Sequence, residues 1–367
     1  MNRRCWLVRL RPPLLALLLL LTGGCSQLKD IDKRLFIVAI GIDPVPNTKD
    51  KLKITLKAAI PQGDPKQGGQ QFDLITVEGQ SIAESLRLAK SKVDKELDFG
   101  HTKGLVFGEK LSPEALSYAV DWAVRRRDFQ LVSLTALAKP SAYDILEQKV
   151  KTERVPGKAL FLALGRFGTE SPYITPAYLF DLHRRLYEPG WSPVLPVVEH
   201  RGDQFNINKA AVFRRNQRAG ILSPEETKLF NILTRRNIRT NLNLIWQESG
   251  MAVNLDHTSS SYRIIAGGEG RPQILYTVKL SGMLEENRSV TSLSDDQMRE
   301  LEQAYEEHMS QQIRGLLVKL QKWKADPLGF GLHYEARHTG TSWKELYPDA
   351  AFAVEVKMRI RSTGVIQ

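Results

Sequence analysis

A multi-domain α+β fold, with mixed or antiparallel sheets and packed helices, is what the sequence predicts. Three observations lead to it. Strand-like and helix-like segments alternate through the first half, yet the first two strands are close enough in sequence to form an antiparallel hairpin, which argues against a doubly wound parallel sheet. The second half carries several strand segments, then one long helical stretch and a closing strand, the pattern of an antiparallel sheet crossed by a helix. The length of 367 residues is enough for two or three domains.

The chain opens with Arg3, Arg4, Arg9 and Arg11, then an apolar run over 14–21, then Thr22, Gly23 and Gly24 ahead of Cys25. A basic start, a short greasy core and small residues make a signal peptide over 1–24, to be removed. The apolar run falls well short of the roughly 20 residues that span a bilayer. A cysteine directly after the small residues resembles a bacterial lipobox, in which the thiol is diacylated and becomes the first residue of the mature chain; Thr22 stands where a leucine is usual. Cys25 is therefore the expected lipidation site, and 25–34 a polar tether. A stray free thiol on an ordinary secreted protein is the competing reading, and oxidising compartments disfavour it.

An N-terminal α+β domain is expected over 35–151. Residues 35–42, LFIVAIGI, read as a strand buried on both faces. Residues 51–60 set Lys51, Lys53, Thr55 and Lys57 against Leu52, Ile54, Leu56 and Ala58, a strand with one wet face. The polar stretch 61–71 is a loop, and 72–77 returns as a strand. Ser81 and Glu84 form a capping box for a helix whose stripe is Ile82, Leu86, Ala89, Val93 and Leu97. A short strand at 104–107 follows. Ser112 and Pro113 then start a second helix with Leu116, Ala119, Val120 and Ala123 inward. A strand at 131–138 and a short helix at 141–150 complete the set.

Between 152 and 205 proline, glycine and aromatics become frequent, as in SPYITPAYLF and EPGWSPVLPVV. This is the expected connecting region or small middle domain, with one helix near 178–186. The C-terminal α+β domain is expected over 206–367. It starts with a strand at 209–215, and Ser223, Pro224 and Glu226 then cap a helix burying Leu229, Phe230 and Leu233. Strands are read at 242–246, 251–255, 262–266 and 274–283, with a glycine-rich turn at 267–270. From 294 to 323 runs the longest helical signal, capped by Ser294 and Gln297, with Met298, Leu301, Tyr305, Met309, Ile313, Leu316, Leu320 and Trp323 on one stripe. Such a stripe reads as the side laid on a sheet, with a partner-binding face as the alternative. Asp326, Pro327 and Gly329 end the helix, and 352–361 is a closing strand with alternating faces.

Composition narrows the function. Lys and Arg total 52 against 41 Asp and Glu; without the leader's arginines the balance is 48 to 41, or +7, spread along the chain. Nucleic-acid binding wants a concentrated basic stripe with stacking aromatics, and none is present. The densest basic spots, Arg125 to Arg127 and Arg235, Arg236 and Arg239, are short and read as a solvated face, with mild attraction to anionic lipid the other reading for a tethered protein. Cys5 leaves with the leader and Cys25 is acylated, so the mature body has no disulfide and no thiolate metal ligand. No GxxxxGK[ST], GxSxG, HExxH or strand-borne GxGxxG pattern occurs, and no cofactor is expected. His333 and His338 are expected to face solvent rather than share a metal. Asp43 reads as a turn former before Pro44, and Glu302, Glu306 and Glu307 as solubilising charge on the wet side of the long helix.

Several stretches taken together resemble one family, the Ger(x)C lipoproteins, C subunits of bacterial spore germinant receptors. They are the leader ending at Cys25, IVAIGID (37–43), GHTKGLVFGEKLSPEAL with RRRDFQL after it, AVFRRNQRAGILSPEET (211–227), WKADPLGFG (323–331) and VEVKMRIRSTG (354–364). The resemblance implies a lipid-anchored, non-enzymatic subunit on the outer face of the spore inner membrane. It also implies partners, an A subunit and a permease-like B subunit, and a response to nutrient germinants. It transfers no catalytic residue. Two other classes stay open: a solute-binding lipoprotein of a transporter, which favours two similar α/β lobes around a cleft, and a lipid-anchored hydrolase, which lacks its motifs here.

Overall fold

The computed structural model describes residues 31–48, 50–60, 71–148, 158–165, 171–202, 204–266, 271–289, 292–338 and 342–361. The signal peptide, Cys25, the 61–70 loop and the 267–270 turn lie outside them. The chain divides into two units between Arg34 and Leu35. Of the first, a 3₁₀ turn over Ile31–Lys33 is described, with Ile31 exposed.

In the second unit the strands form two sheets. The first is built from β1 (Arg34–Pro44), β2 (Leu52–Ile60), β3 (Gln71–Gly79), β4 (Glu96–Asp98), β5 (Gly104–Gly108), β6 (Leu134–Lys139), β7 (Val194–Arg201), β8 (Gln204–Arg214) and β9 (Gln217–Leu222). Its order is β3-β2-β1-β5-β6-β7-β8-β9, with β4 also on β1. Strands β1, β5, β6 and β7 pair in parallel and both flanks are antiparallel, so the sheet is mixed as expected.

Helices cover both faces. Ile37, Ile40 and Ile42 of β1 share one core with α1 (Ile82–Lys90), α2 (Pro113–Arg125) and, further along, Leu179, Leu182 and Leu186. Ala39 joins the opposite core with α3 (Ala142–Glu147) and α4 (Lys158–Leu164). An irregularity in the ladder between Ile37 and Ala39 sets these neighbours on opposite sides, so the continuous apolar run is buried on both faces.

The wet face expected of 51–60 is only partial, with Lys51 exposed and Lys53 half-buried. Thr55 and Lys57 are buried, because α3 lies over that side. Lys57 Nζ donates to Leu146 O at 2.7 Å, at the negative end of the helix, and Lys53 lies over the Tyr143 ring at 4.1 Å. Residues 204–222, read as the start of the second half, extend the first sheet through the β7–β8–β9 hairpins.

The second sheet is β10 (Thr240–Trp246), β11 (Ser249–Ala266), β12 (Pro272–Asn287) and β13 (Ala351–Arg361), in that order. The two strands expected near 251–266 are one, carried through the polar run 256–261 by bulges at 252/253 and 255/257. The first three strands are antiparallel. The fourth pairs in parallel with β12, because α7 (Asp295–Lys322) intervenes as a crossover and returns the chain to the start of β12. Leu301, Tyr305, Met309, Ile313, Leu316 and Leu320 of α7 are buried with α6 (Pro224–Thr234) and the sheet in one core, as the stripe predicts. Lys319 Nζ reaches both Glu226 carboxylate oxygens at 2.7 and 2.8 Å, tying α7 to α6. Among the described residues no helix is long and apolar enough to cross a membrane.

Candidate functional site

Where α7 ends, the chain folds back on itself. Trp323 caps the helix, Lys324 takes a left-handed conformation with φ of 51°, and Asp326 and Pro327 forbid continuation. Asp326 is buried. Its carboxylate accepts the Gly329 N–H at 2.9 Å, the Gly331 N–H at 2.7 Å and the Trp343 indole N–H at 3.1 Å. Its own N–H donates to Ser192 Oγ at 2.9 Å, and its carbonyl accepts from Ser192 N at 2.8 Å. One residue thus gathers three segments: 190–193, the start of α8 (Phe330–Glu335), and α9 (Trp343–Leu346).

Two glycines make that approach possible. A Cβ on Gly331 would lie 2.3 Å from the Trp343 ring and 2.6 Å from Gly190 Cα, and Gly190 itself has φ of 70°. Trp191 closes the other side. Its Nε1 donates to Pro327 O at 3.1 Å, and Arg184 and Arg185 lie over its ring at 4.3 and 4.0 Å. The positions come from α5 (Leu179–Tyr187), whose last turn carries both arginines. Arg185 is held by Asp181 at 2.7 Å and donates to Ser192 O and Pro327 O; burial lowers its pKa.

Beside this junction opens a cleft of about 630 Å³ lined by Trp191, Trp343, Arg214, Arg215, Lys324 and Lys344 among others. Burial pushes the Asp326 carboxyl up to about 7, while the N–H groups of Gly331, Phe330 and Gly329 and the Trp343 indole pull the other way. Every partner of the carboxylate is a donor. Its lone pairs hold backbone and indole in place rather than taking a proton from a substrate, so the centre is a lock between segments.

The residues singled out for chemistry are dispersed. Asp43 is not a local turn former: its carboxylate crosses to the first turn of α3, accepting Ala142 N–H at 2.8 Å and Tyr143 N–H at 2.9 Å. Burial raises its pKa against those two bonds and Lys53. Glu302 and Glu306 are half-buried and leave the wet side, because β13 is the sheet's outer strand and α7 runs along it. Glu302 Oε1 accepts Ile360 N–H at 2.6 Å and Glu306 Oε1 accepts Met358 N–H at 2.7 Å; Ser310 Oγ donates to Val354 O at 2.9 Å. Glu307 stays exposed.

His333 packs edge-on to Tyr262 at 5.8 Å and His338 stacks on Tyr334 at 4.2 Å. Among the described residues no group of three or more His, Cys, Asp or Glu is placed to hold a metal. Cys25, the expected lipidation site, lies outside the described residues.

Sequence reasoning used Asp326 merely as a helix stop. A signal was present: an aspartate at a helix end with glycines three and five residues on can place its carboxylate against their N–H groups. The involvement of Ser192 and Trp343 has no local signature.

Two family models match the chain in order. One, described as the spore germination protein N-terminal domain, covers residues 27–200, and the other, described as spore germination B3/GerAC like, C-terminal, covers 208–364. The chain is 25% identical to spore germination protein KC of Bacillus subtilis (strain 168), with 97% of each chain covered. Against spore germination protein B3 of the same organism it is 23% identical, covering 95% of this chain and 96% of that one. The crystal structure of the GerBC protein superposes with a TM-score of 0.58 over 88% of this chain and 96% of that one, at 17% identity. That is a likeness of fold.

Proposed function

The chain belongs to the spore germination GerAC family, and on that premise we propose that it is a lipid-anchored, non-enzymatic subunit of a nutrient germinant receptor. The observation that carries the proposal is the ordered match of both family models across 27–200 and 208–364. In this reading Cys25 is acylated and holds the body on the outer face of the spore inner membrane. The partners are an A subunit and a permease-like B subunit. Confinement to their membrane raises the local concentration of the three without any further contact.

A structural subunit also suits the chemistry described above. Asp43, Asp326, Glu302 and Glu306 all spend their carboxylates on distant backbone N–H groups. The boundaries 35–151, 152–205 and 206–367 remain proposed as units of organisation, with the last strands of the first sheet crossing the second of these boundaries.

The test is genetic and biochemical. Deleting the gene in its spore-forming host is expected to abolish or sharply slow germination on at least one nutrient, and an affinity-tagged chain is expected to copurify the permease-like subunit from spore membranes. Normal germination on every nutrient, together with loss of an uptake activity, would replace the proposal with the transporter-lipoprotein reading. Cys25→Ala is expected to release the protein from the membrane, and mass spectrometry of the N-terminal peptide reads the acyl group directly.

A further inference from the structure

Strands β1, β5 and β6 are parallel, so all three begin at one end of the first sheet, and the chain enters from its N-terminal segment at that same end. The loops there are tied into one rim. Lys103 N–H donates to Val38 O at 2.8 Å, and Leu134 N–H to Lys103 O at 2.8 Å. Thr102 Oγ1 donates to Ile37 O at 3.0 Å, Ser133 Oγ to Thr102 O at 2.9 Å, and Gln130 Nε2 to Gly100 O at 2.7 Å. The start of α5 joins them through Leu179 N–H to Ser133 O at 2.8 Å and Phe180 N–H to Leu131 O at 3.0 Å.

On this stiff rim the side chains have the wrong polarity for water. Leu131 is 44% exposed, Val132 63% and Phe180 46%. The Phe180 ring stacks on Tyr178 at 5.8 Å. Single exposed apolar residues are ordinary, but three large ones brought together by backbone hydrogen bonds form a patch. Exposed basic side chains lie on the connected segments: Arg125 ends α2, Arg127 stands four residues before Leu131, and Lys103 precedes β5 with its carbonyl accepting the Leu134 N–H. Arg126 between them is paired with Asp128 and lies over the Phe99 and Trp122 rings, which fixes the loop from below.

Apolar tips with basic residues on the adjoining segments are the composition of a surface that enters the boundary between headgroups and acyl chains. We propose that this rim docks on the bilayer, with Leu131, Val132 and Phe180 in the acyl boundary and Arg125, Arg127 and Lys103 at anionic lipid phosphates. The proposal rests on the reading of Cys25 as the anchor: residues 26–34 separate Cys25 from Leu35, a stretch that reaches at most about 35 Å even fully extended. An acyl chain at Cys25 therefore holds this end of the sheet near lipid. One lipid group alone gives reversible attachment, and a second, protein-borne contact makes it stable and sets an orientation.

The full chain, expressed in a bacterium with its leader, is purified from membranes and reconstituted into vesicles of phosphatidylcholine with phosphatidylglycerol. Val132→Cys carries an environment-sensitive fluorophore, and Ser259→Cys on the exposed face of the second sheet serves as the aqueous control. The unsubstituted chain subtracts any label at Cys25. Nitroxide lipids are expected to quench the probe at 132 several-fold more than the one at 259, and Arg125→Glu with Arg127→Glu is expected to reduce that quenching. Equal quenching at the two positions overturns the proposal.

The mass of the N-terminal peptide separates the two readings. An acylated chain whose probe at 132 stays aqueous refutes the docking face alone. An unacylated chain whose probe still enters lipid refutes the anchor and supports the face. Shielding of the probe that appears only when the permease-like subunit is present would assign the rim to a protein partner and overturn the bilayer reading.

Discussion

Two buried aspartates hold the molecule at different places, and they differ in how much each one holds. Asp43, at the end of β1, accepts two successive N–H groups of one short helix. Asp326, at the end of α7, accepts from Gly329, Gly331 and Trp343 while its own main chain is paired with Ser192. The first is a remote helix cap. The second is a junction, where removal of one side chain strands donors on separate segments in a water-poor space. A cap is replaceable by water once the helix end frays, whereas a junction has to come apart before water can enter.

Substitution at the two positions tests that contrast most strongly. Asp326→Ala is expected to lower stability by roughly 3–5 kcal/mol, because three donors on separate segments lose their acceptor in the interior. Asp43→Ala is expected to cost about 1–2 kcal/mol, the scale of a lost N-cap. Urea unfolding followed by tryptophan fluorescence measures both. Equal losses, or a larger one at Asp43, would break the distinction between cap and junction.

The protonation behaviour sharpens it. Folding raises the Asp326 carboxyl from its ordinary 3.8 to about 7, so between those values the folded state binds more protons than the unfolded one. Stability contributed by this group is therefore full below about pH 4 and is lost as pH rises through about 7. Wild type compared with Asp326→Asn, by urea midpoints across that window, is expected to show the wild type losing ground to the variant as pH increases. A difference that is flat with pH would show that the carboxyl ionises in the fold as easily as in water, and one of opposite slope that it ionises more easily there. Asp43 shifts in the same direction, burial being the first cause there too.

Next in size is the close approach itself. A methyl group on Gly331 meets the Trp343 ring at 2.3 Å and Gly190 Cα at 2.6 Å, both in packed surroundings. Gly331→Ala is expected to cost about 1–3 kcal/mol, as overpacking does, and to perturb the near-ultraviolet signal of the clustered tryptophans. An unchanged spectrum and midpoint would mean that the two segments part without loss, and Asp326 would then be a cap like Asp43.

What was legible beforehand follows the range of the interaction. Ser223 with Glu226 and Ser294 with Gln297 form full capping boxes at the predicted helix starts. Ser81 caps α1, although the Glu84 carboxylate turns to the Gln80 N–H rather than back to Ser81. The stripe of α7 and the double burial of β1 were readable because periodicity reports which face is apolar. It does not report which polar residue meets which distant backbone. Lys57 looked wet and is under α3; Glu302 and Glu306 looked solubilising and lie on β13; Asp326 looked like punctuation and is the junction. The two Pro, Gly and aromatic-rich stretches, EPGWSP and WKADPLGFG, were each noticeable in sequence. Only folding puts Trp191 of one against Pro327 of the other.

The smallest effect belongs to a third carboxylate on distant backbone, and it supplies the baseline for the other two. Glu306 accepts the Met358 N–H at 2.7 Å from a helix lying along the outer strand, and its side chain remains half open to solvent. When it is removed, water can reach the freed N–H without the strand moving, so Glu306→Ala is expected to cost less than about 1 kcal/mol. The loss should be local: amide exchange at Met358 speeds up, while Leu280 and Val278 on the neighbouring strand keep their protection. A penalty as large as that of Asp43→Ala would mean that sealing the edge of β13 matters as much as capping a buried helix. Burial would then not be what separates the junction from the cap, and the number of segments joined would have to carry the difference alone.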